Sequence, residues 1–188
     1  LEVTRLLLEA GADKDKTDED DSTALHVVSF YGHLEVVRLL LLAGADKDRA
    51  DQNGDTALHA ASYRGHLEVA RLLLVAGADK DKANEDGSTP LHAASHLGHL
   101  EVARLLLQAG ADKDKAEQTG FTALHAVSYR GHREVARLLL EARADKDKVN
   151  EDNRTALQVA TDNGHLEVVR LLLLAGAGKD GAGQNGDT

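Results

Sequence analysis

The feature that most constrains this chain is a unit of 33 residues that recurs without insertions. Each full unit opens with a threonine followed by a short apolar stretch, and these threonines are Thr23, Thr56, Thr89, Thr122 and Thr155. A fixed period of this length is typical of proteins that stack one supersecondary unit many times. The sequence therefore predicts an elongated array and argues against a single central core.

The threonines divide the 188 residues into one partial and five full units. Residues 1–22 match only the second half of a unit, and the full units, called repeats 1 to 5 below, are 23–55, 56–88, 89–121, 122–154 and 155–187. We interpret 1–188 as a single repeat array. The chain begins inside a unit, stops at the first residue of another and contains no methionine, which suggests that it is truncated at both ends.

One repeat, residues 56–88, predicts two short helices and a polar turn. Thr56 is a favourable N-cap for a first helix that directs Leu58 and Ala61 inwards, and Gly65 is suited to end it in the left-handed conformation. The second helix is HLEVARLLLVA, and ADKDKANEDGS forms the turn. Because helices of about ten residues cannot bury their apolar faces alone, each repeat must pack on its neighbours.

Residues 89–111, TPLHAASHLGHLEVARLLLQAGA, resemble the ankyrin repeat, whose pattern contains T-P-L-H-x-A-A, then G-H, then L-L-L and G-A. The match recurs in all five repeats. The resemblance implies an all-α fold with short β-hairpin turns, in which helix-turn-helix units stack into a curved ankyrin-repeat solenoid. It also implies a module that binds a protein partner through the hairpin tips and the inner ends of the first helices.

Several positions depart from the family pattern. Asp21 and Asn153 stand where the turns usually have glycine, and both residue types tolerate the left-handed conformation better than most. Arg143 replaces a helix-closing glycine, which should cost about 1 kcal/mol if that site is left-handed. Gln158 replaces the recurrent histidine of T-A-L-H. Residues 176–188 have exchanged aspartate and lysine for glycine, and we expect them to fray.

The composition narrows the possible partners. A formal net charge of −10 argues against a nucleic-acid backbone or an anionic membrane surface as the main partner. The absence of cysteine excludes disulfides and thiolate metal sites. We find no signal peptide and no apolar run that could insert into a membrane, and the family resemblance then favours an intracellular, cytoplasmic protein.

Histidine is abundant but periodic. Nine of the ten histidines occupy two repeat positions, one in T-A/P-L-H and one in G-H: His26, His59, His92, His125, His33, His66, His99, His132 and His165. We interpret them as structural groups that bond to threonine and to neighbouring backbone. They have no carboxylate partner at the spacing of a metal site. His96 is the exception to this pattern.

Neither a metal site nor a catalytic site is indicated by the motifs. The acidic turn that starts at Asp79 resembles a calcium loop, but its fifth, sixth and twelfth places are Ala83, Asn84 and Pro90 instead of an oxygen ligand, glycine and glutamate. The chain has no G-x-S-x-G sequence and no phosphate-binding loop. The sequence therefore predicts no metal, no cofactor and no enzymatic activity.

The informative positions are those that vary between repeats. Core positions hardly change, whereas the two residues before each G-H and the residue before each threonine differ, and all five aromatic side chains occur there. Aromatic and arginine side chains are favoured at protein interfaces, and in the ankyrin pattern these positions line the concave face. The alternative is that they only fill exposed positions. The candidate partner-binding residues are Phe30, Tyr31, Tyr63, Arg64, His96, Leu97, Phe121, Tyr129 and Arg130.

Two further hypotheses concern charge and the ends of the array. The turns around the variable positions are acidic at 18–21, 85–86 and 151–152, so we expect a partner with apolar or aromatic groups and some basic residues. Terminal units normally carry polar outer faces, yet the first and last helices are of the interior type. Further repeats or another subunit would therefore contact the ends, at Leu1, Val3, Leu6, Leu7, Val168, Leu171 and Leu172.

The sequence favours non-catalytic protein recognition on the concave face. Two alternatives remain open. The array could be a structural spacer or assembly element of a larger complex, as the ends without polar caps would allow. It could also be the targeting domain of a larger enzyme.

Overall fold

Eleven helices make up the regular structure of residues 1–178, the part of the chain that the structure, a computed structural model, describes. The partial repeat contributes α1, and each full repeat contributes a first and a second helix. Their bounds are α1 Glu2–Glu9, α2 Ala24–Phe30, α3 Leu34–Leu42, α4 Ala57–Arg64, α5 Leu67–Val75, α6 Pro90–Leu97, α7 Leu100–Gln108, α8 Ala123–Arg130, α9 Arg133–Glu141, α10 Ala156–Asp162 and α11 Leu166–Leu174.

The helices form two layers. The first helices contact one another in the order α2, α4, α6, α8 and α10, and the second helices in the order α3, α5, α7, α9 and α11. Leu58 and Ala61 of α4 are fully buried between the layers, as predicted, and Val69, Ala70 and Leu73 of α5 meet them from the other side. Each short helix thus buries its apolar face against helices of its own and adjacent repeats, and this packing supplies the stability that it lacks alone.

Threonine and glycine set the ends of the first helices as the sequence predicts. Thr56 is the N-cap of α4 in a capping box with His59, and Pro90 takes the first position of α6, where no backbone N–H is needed. Gly65 ends α4 with φ 73°, in the left-handed region that glycine adopts without a side-chain penalty. The variable residues come just before this glycine, so they lie at the C-terminal end of each first helix.

A turn precedes each threonine, and we number these turns 1 to 5. The expected β-hairpins shrink to single antiparallel bridges in turns 1, 4 and 5, Thr17 with Thr23, Ala116 with Thr122 and Val149 with Thr155. Successive turns are joined by backbone hydrogen bonds. For example, the Gln52 amide donates to the Asp20 carbonyl at 3.0 Å. These bonds align the turns in a row that lies alongside the first helices.

The expected left-handed residues adopt that conformation. Asp21, Arg143 and Asn153 have φ of 57°, 61° and 56°, and they are the non-glycine residues with positive φ in the described range. The glycine-rich end was predicted to fray, but from residue 179 onwards it lies outside the described residues.

The two ends of the array differ from the expectation. Leu1, the residue before α1, and Val3, Leu6 and Leu7 within it are indeed more than half exposed. The prediction was wrong for Val168 and Leu172 of α11, which are buried because they face α9 and α10 instead of pointing outwards. Leu171 is half-buried, and the exposed apolar residues of α11 are Leu166, Leu173 and Leu174.

The outer surface of the second helices carries glutamate–arginine pairs, as the sequence indicates. The Glu68–Arg71 pair has an N–O distance of 3.5 Å, and both side chains are more than half exposed. Exposed pairs of this kind contribute little to stability. The same pair recurs in the other repeats as Glu35–Arg38, Glu101–Arg104, Glu134–Arg137 and Glu167–Arg170.

Candidate functional site

A cavity of about 1040 Å³ lies between turns 1 to 4 and the first helices of repeats 1 to 3. We call it the groove. Its floor is formed by Val27, Ala60 and Ala93, which occupy the same position in three consecutive first helices. Alanine at two of these positions leaves space for a partner to approach the helices closely.

One wall of the groove is aromatic at the end where repeats 1 and 2 meet. The rings of Phe30 and Tyr63 stack with centroids 6.4 Å apart, and Tyr31 meets Phe30 edge-on at 5.3 Å. Tyr31 and Tyr63 are nevertheless 62% and 49% exposed. The arrangement offers a partly ordered aromatic surface that a partner could cover, which limits the conformational entropy lost on binding.

His96 continues this wall in repeat 3 and joins a second cavity of about 430 Å³. The second cavity also contains Phe121, whose ring lies 5.4 Å from that of His125, and Tyr129, which is 46% exposed. His96 Nε2 accepts hydrogen bonds from Arg130 at 3.0 and 2.7 Å, so its ring is held against repeat 4. Burial, and then the charge of Arg130, lower the pKa of His96, which keeps it neutral.

Three of the nine candidate residues lie outside both cavities. Arg64 is exposed and sits over the Phe30 ring at 4.8 Å, and Arg130 lies 5.4 Å from the Tyr129 ring while it bonds to His96. Both arginines therefore support the aromatic wall from its rim by cation–π contacts. Leu97 is half-buried and lines neither cavity.

The opposite wall of the groove is acidic. It contains one or two carboxylates from each of turns 1 to 4, namely Asp18, Asp20, Asp51, Asp55, Asp86 and Glu117. Sequence reasoning identified the acidic tips at Asp18, Asp20 and Asp86 but missed the other three. A comparison of repeat positions indicates two of them. Asp18, Asp51 and Glu117 occupy one repeat position, and an acidic residue there recurs in three of five turns.

Two of the six carboxylates are used within their own turn. Asp51 Oδ1 accepts from the amides of Asn53 and Asp55 at 2.8 and 3.0 Å, and Asp18 does the same in turn 1. These bonds hold the turn in shape. Asp20 and Asp55 each accept one bond from a side-chain amide of the next turn, from Gln52 at 3.0 Å and from Asn84 at 2.9 Å. Glu117, one methylene longer, makes no such pair of bonds in turn 4. Burial, and to a smaller degree the charge of Asp86, raise its pKa.

A second row of aspartates differs from the acidic wall because each of its members is paired with a lysine. These residues form ion pairs with the preceding lysine at N–O distances of 2.7 to 3.3 Å: Asp15, Asp48, Asp81, Asp114 and Asp147. Each of them also accepts a bond from a backbone amide of the next turn, as in Asp79 N to Asp48 Oδ1 at 2.7 Å. Within residues 1–178, the six carboxylates of the groove have no lysine or arginine within 4.0 Å. The groove is therefore a concentrated, uncompensated negative surface.

The periodic histidines lie beneath the groove and bond as predicted. His59 Nδ1 accepts from the Thr56 amide at 3.1 Å, so the ring is neutral and its Nε2–H donates to the Ser88 carbonyl at 3.1 Å. His26, His92 and His125 repeat both bonds. The histidines of G-H donate across repeats as well, from His66, His99, His132 and His165 to a carbonyl near the end of the preceding first helix. The hydrogen bonds of these histidines connect adjacent repeats.

Burial is the main reason why the pKa of three of these histidines is low. It lowers the pKa of His59 and His125, and it lowers the pKa of His92 to about 4. Since Nδ1 and Nε2 are both engaged in hydrogen bonds, these rings have no nitrogen available for a metal or a proton transfer. Among residues 1–178 no cluster of three or more histidine, cysteine, aspartate or glutamate side chains could hold a metal ion. No helix in the same range is long and apolar enough to cross a membrane.

Comparison with protein-family models gives one family, described as ankyrin repeats. Three copies of its model match residues 1–84, 40–117 and 112–182, and together they span nearly the whole chain. No curated protein gives a significant match.

Proposed function

Because the chain belongs to the ankyrin-repeat family, we propose that it is a non-catalytic recognition module that holds a protein partner in the groove. Ankyrin repeats are in general protein–protein interaction modules. The observation that carries the proposal is the aromatic wall, where Tyr31 and Tyr63 remain about half exposed beside an apolar floor. Large amphipathic side chains around a depression are the usual anchors of a protein interface.

The contacts among these side chains favour a role in recognition over the alternative that the aromatic residues only fill exposed positions. Tyr63 is packed on Phe30, and Phe30 in turn lies under Arg64, so the rings are already ordered before any partner arrives. The partner would cover the exposed parts of Tyr31 and Tyr63 and displace water from the alanine floor. It would gain apolar contact without ordering flexible side chains, which is where much of the cost of binding normally lies.

The test is a capture experiment with three baits. The first is the wild-type chain, and the second carries Tyr31, Tyr63 and Tyr129 changed to alanine, all of them exposed enough to leave the core intact. The third is a matched control with Arg71, Arg104 and Arg170 of the outer surface changed to alanine. Circular dichroism and urea unfolding establish that all three fold.

We expect a partner to be held by the wild type and by the outer-surface control, and to be lost from the groove variant. Ablation of three aromatic anchors should weaken binding at least tenfold, since single anchors commonly contribute more than 1 kcal/mol each. A partner that the groove variant retains but the outer-surface control loses would overturn the proposal and move recognition to the second helices.

A second candidate function, assembly with another subunit, is supported by α1. Val3, Leu6 and Leu7 form an exposed apolar surface on this helix, and contiguous surfaces of this kind commonly mark contact sites. If α1 mediates assembly, analytical ultracentrifugation should show self-association that Leu6→Glu and Leu7→Glu abolish. A chain that sediments as a monomer at every concentration would exclude self-assembly through this surface.

A further inference from the structure

We propose that the occupant of the groove is an extended peptide segment with an arginine or lysine at every third position. The proposal rests on the proposed function and specifies its partner. It is carried by the shape of the groove, by the uncompensated charge of one wall and by the spacing of the repeats.

The groove runs across the repeats and not along a helix. Its lining residues extend from turn 1 to turn 4 and include the same floor position in α2, α4 and α6. An occupant that fills the groove therefore meets one repeat after another, with Val27, Ala60 and Ala93 below it. The small side chains of this floor favour an occupant whose own backbone lies close to the helices.

The acidic wall presents at least one carboxylate from each of turns 1 to 4. Turns 1 and 2 each contribute two carboxylates to the groove, and Asp86 and Glu117 contribute one each from turns 3 and 4. None of the six is neutralised by a cation within the described residues, in contrast to the lysine-paired aspartates of the other row. Glu117 responds to this setting, because burial and the charge of Asp86 raise its pKa. A cationic occupant would relieve the repulsion along the wall.

The wall has a defined end. In turn 5 the corresponding carboxylate, Asp152, is paired with Arg154 at 2.9 Å, and Arg154 also reaches Asp162 at 3.4 Å. Arg154 thus neutralises Asp152, and the carboxylates that line the groove without a cationic partner belong to turns 1 to 4. Complementary charge on the occupant is required over these four turns, which sets the length of the segment.

The spacing follows from geometry. Helices packed side by side lie about 8–10 Å apart, whereas an extended chain in the polyproline II conformation advances about 3.1 Å per residue and has three residues per turn. About three residues of such a peptide therefore pass one repeat, and every third side chain points to the same wall, so that cations at every third position meet successive acidic turns. A helical peptide advances only about 1.5 Å per residue and would need about six residues per repeat. Arginine suits the site better than lysine, since it can bond a carboxylate with two N–H groups.

The experiment uses the whole chain and synthetic peptides with the same number of arginines. The first peptide has about ten residues, which span about 30 Å when extended, with arginine at every third position and proline and serine between them to prevent helix formation. The second contains the same residues with the arginines in one block. The third is a helix-forming peptide with the same number of arginines at every sixth position. Fluorescence anisotropy measures binding of each at low and moderate salt.

We expect the period-three peptide to bind at least tenfold more tightly than either other peptide. This preference should disappear in a variant with Asp20→Asn, Asp86→Asn and Glu117→Gln. A control variant with Glu68→Gln, Glu101→Gln and Glu167→Gln removes the same charge from the outer surface and should retain the preference. If affinity followed only the number of arginines, or if the helical peptide bound best, the proposed register would be wrong. Capture of a partner by the aromatic wall would then still stand, because that experiment does not depend on peptide charge.

Discussion

The third and fifth repeats contain the same elements, yet only repeat 3 is followed by a turn within the described residues. In repeat 3, His92 is 2% exposed and bonds both to its own Thr89 and to the Phe121 carbonyl in the next turn. In repeat 5 the equivalent Gln158 is exposed, and within residues 1–178 it bonds to its own Thr155, with a shortest distance of 2.9 Å. The comparison separates two roles of the histidine: the N-cap, which glutamine also provides, and the link to the following turn, which repeat 3 shows.

The glycines that end the first helices differ in the same way. At Gly98 a Cβ would lie 2.6 Å from Nδ1 of His132, whereas at Gly164 no atom of the described residues lies within 4 Å. Both glycines have nearly the same positive φ, 74° and 73°. Both glycines are therefore required by their own backbone, and Gly98 is required also by the ring of the next repeat. Contacts between repeats, rather than the repeat sequence alone, determine what each position contributes to stability.

The largest effect that tests this comparison is expected from alanine at the two glycines. Gly164→Ala should destabilise by about 1 kcal/mol, the usual cost of a left-handed non-glycine residue. Gly98→Ala should cost about 3 kcal/mol, because the added Cβ must also displace the His132 ring and its bond to the His96 carbonyl. Urea unfolding of both variants measures the difference. Equal losses would show that the ring moves aside freely and that contact between repeats has no part in the requirement for glycine.

The second prediction uses pH to weaken the links in the middle repeats. His92 has a pKa of about 4 in the folded chain and 6.5 as its ordinary value, so folding favours the neutral ring. Its contribution is complete above about pH 6.5 and is lost as the pH falls towards 4. At pH 5 the loss amounts to about 2 kcal/mol. His59 and His125 act in the same direction.

The control is His92→Gln, which introduces the residue that repeat 5 already has at the equivalent position, Gln158. The variant should be somewhat less stable than the wild type at pH 7.5, because the bond to the Phe121 carbonyl is lost. It should lose about 2 kcal/mol less than the wild type between pH 7.5 and pH 5. An unchanged pH dependence would mean that the acid sensitivity of the array comes from other groups.

The third prediction concerns Arg143, which occupies the left-handed position at the end of α9 with φ 61°. Arg143→Gly should stabilise the chain by about 1 kcal/mol, and the reverse change, Gly110→Arg, should destabilise it by a similar amount. Gly110 is a suitable partner because the nearest atom to an added Cβ is Lys80 Cε at an ordinary 3.7 Å. Thermal unfolding compares the two, and effects of the same sign in both variants would contradict the argument from backbone conformation.

Much of the fold can be predicted from the sequence because its determinants are local. Thr56 caps a helix, Gly65 ends it and the leucine spacing selects the buried face, and each of these signals acts within a few residues. The exposed surface of α11 was mispredicted because it depends on contacts that are not local. The burial of Val168 and Leu172 depends on which side of the helix meets α9 and α10, and the apolar composition of the helix does not specify that side.

The candidate site is less predictable because it depends on neighbours in space. The sequence locates the aromatic residues at the variable positions, but it does not show that Arg64 folds over Phe30 at the rim instead of lining the groove. It also does not distinguish the two rows of carboxylates. Asp48 and Asp51 are three residues apart, yet only Asp48 is reached by Lys47.

The smallest expected effect is at Asn153, and it tests whether turn 5 follows the rules of the middle turns. Asn153 has φ 56°, but asparagine tolerates this conformation, so Asn153→Gly should change stability by less than about 0.5 kcal/mol. The reverse change in turn 4, Gly120→Asn, should be much more costly, because its Cβ would lie 2.9 Å from Asn150 Cα in the following turn. Urea unfolding of both variants compares them directly. A small loss in both would mean that successive turns separate easily, and the row of acidic turns that forms one wall of the groove would then lack the rigidity on which its fixed spacing depends.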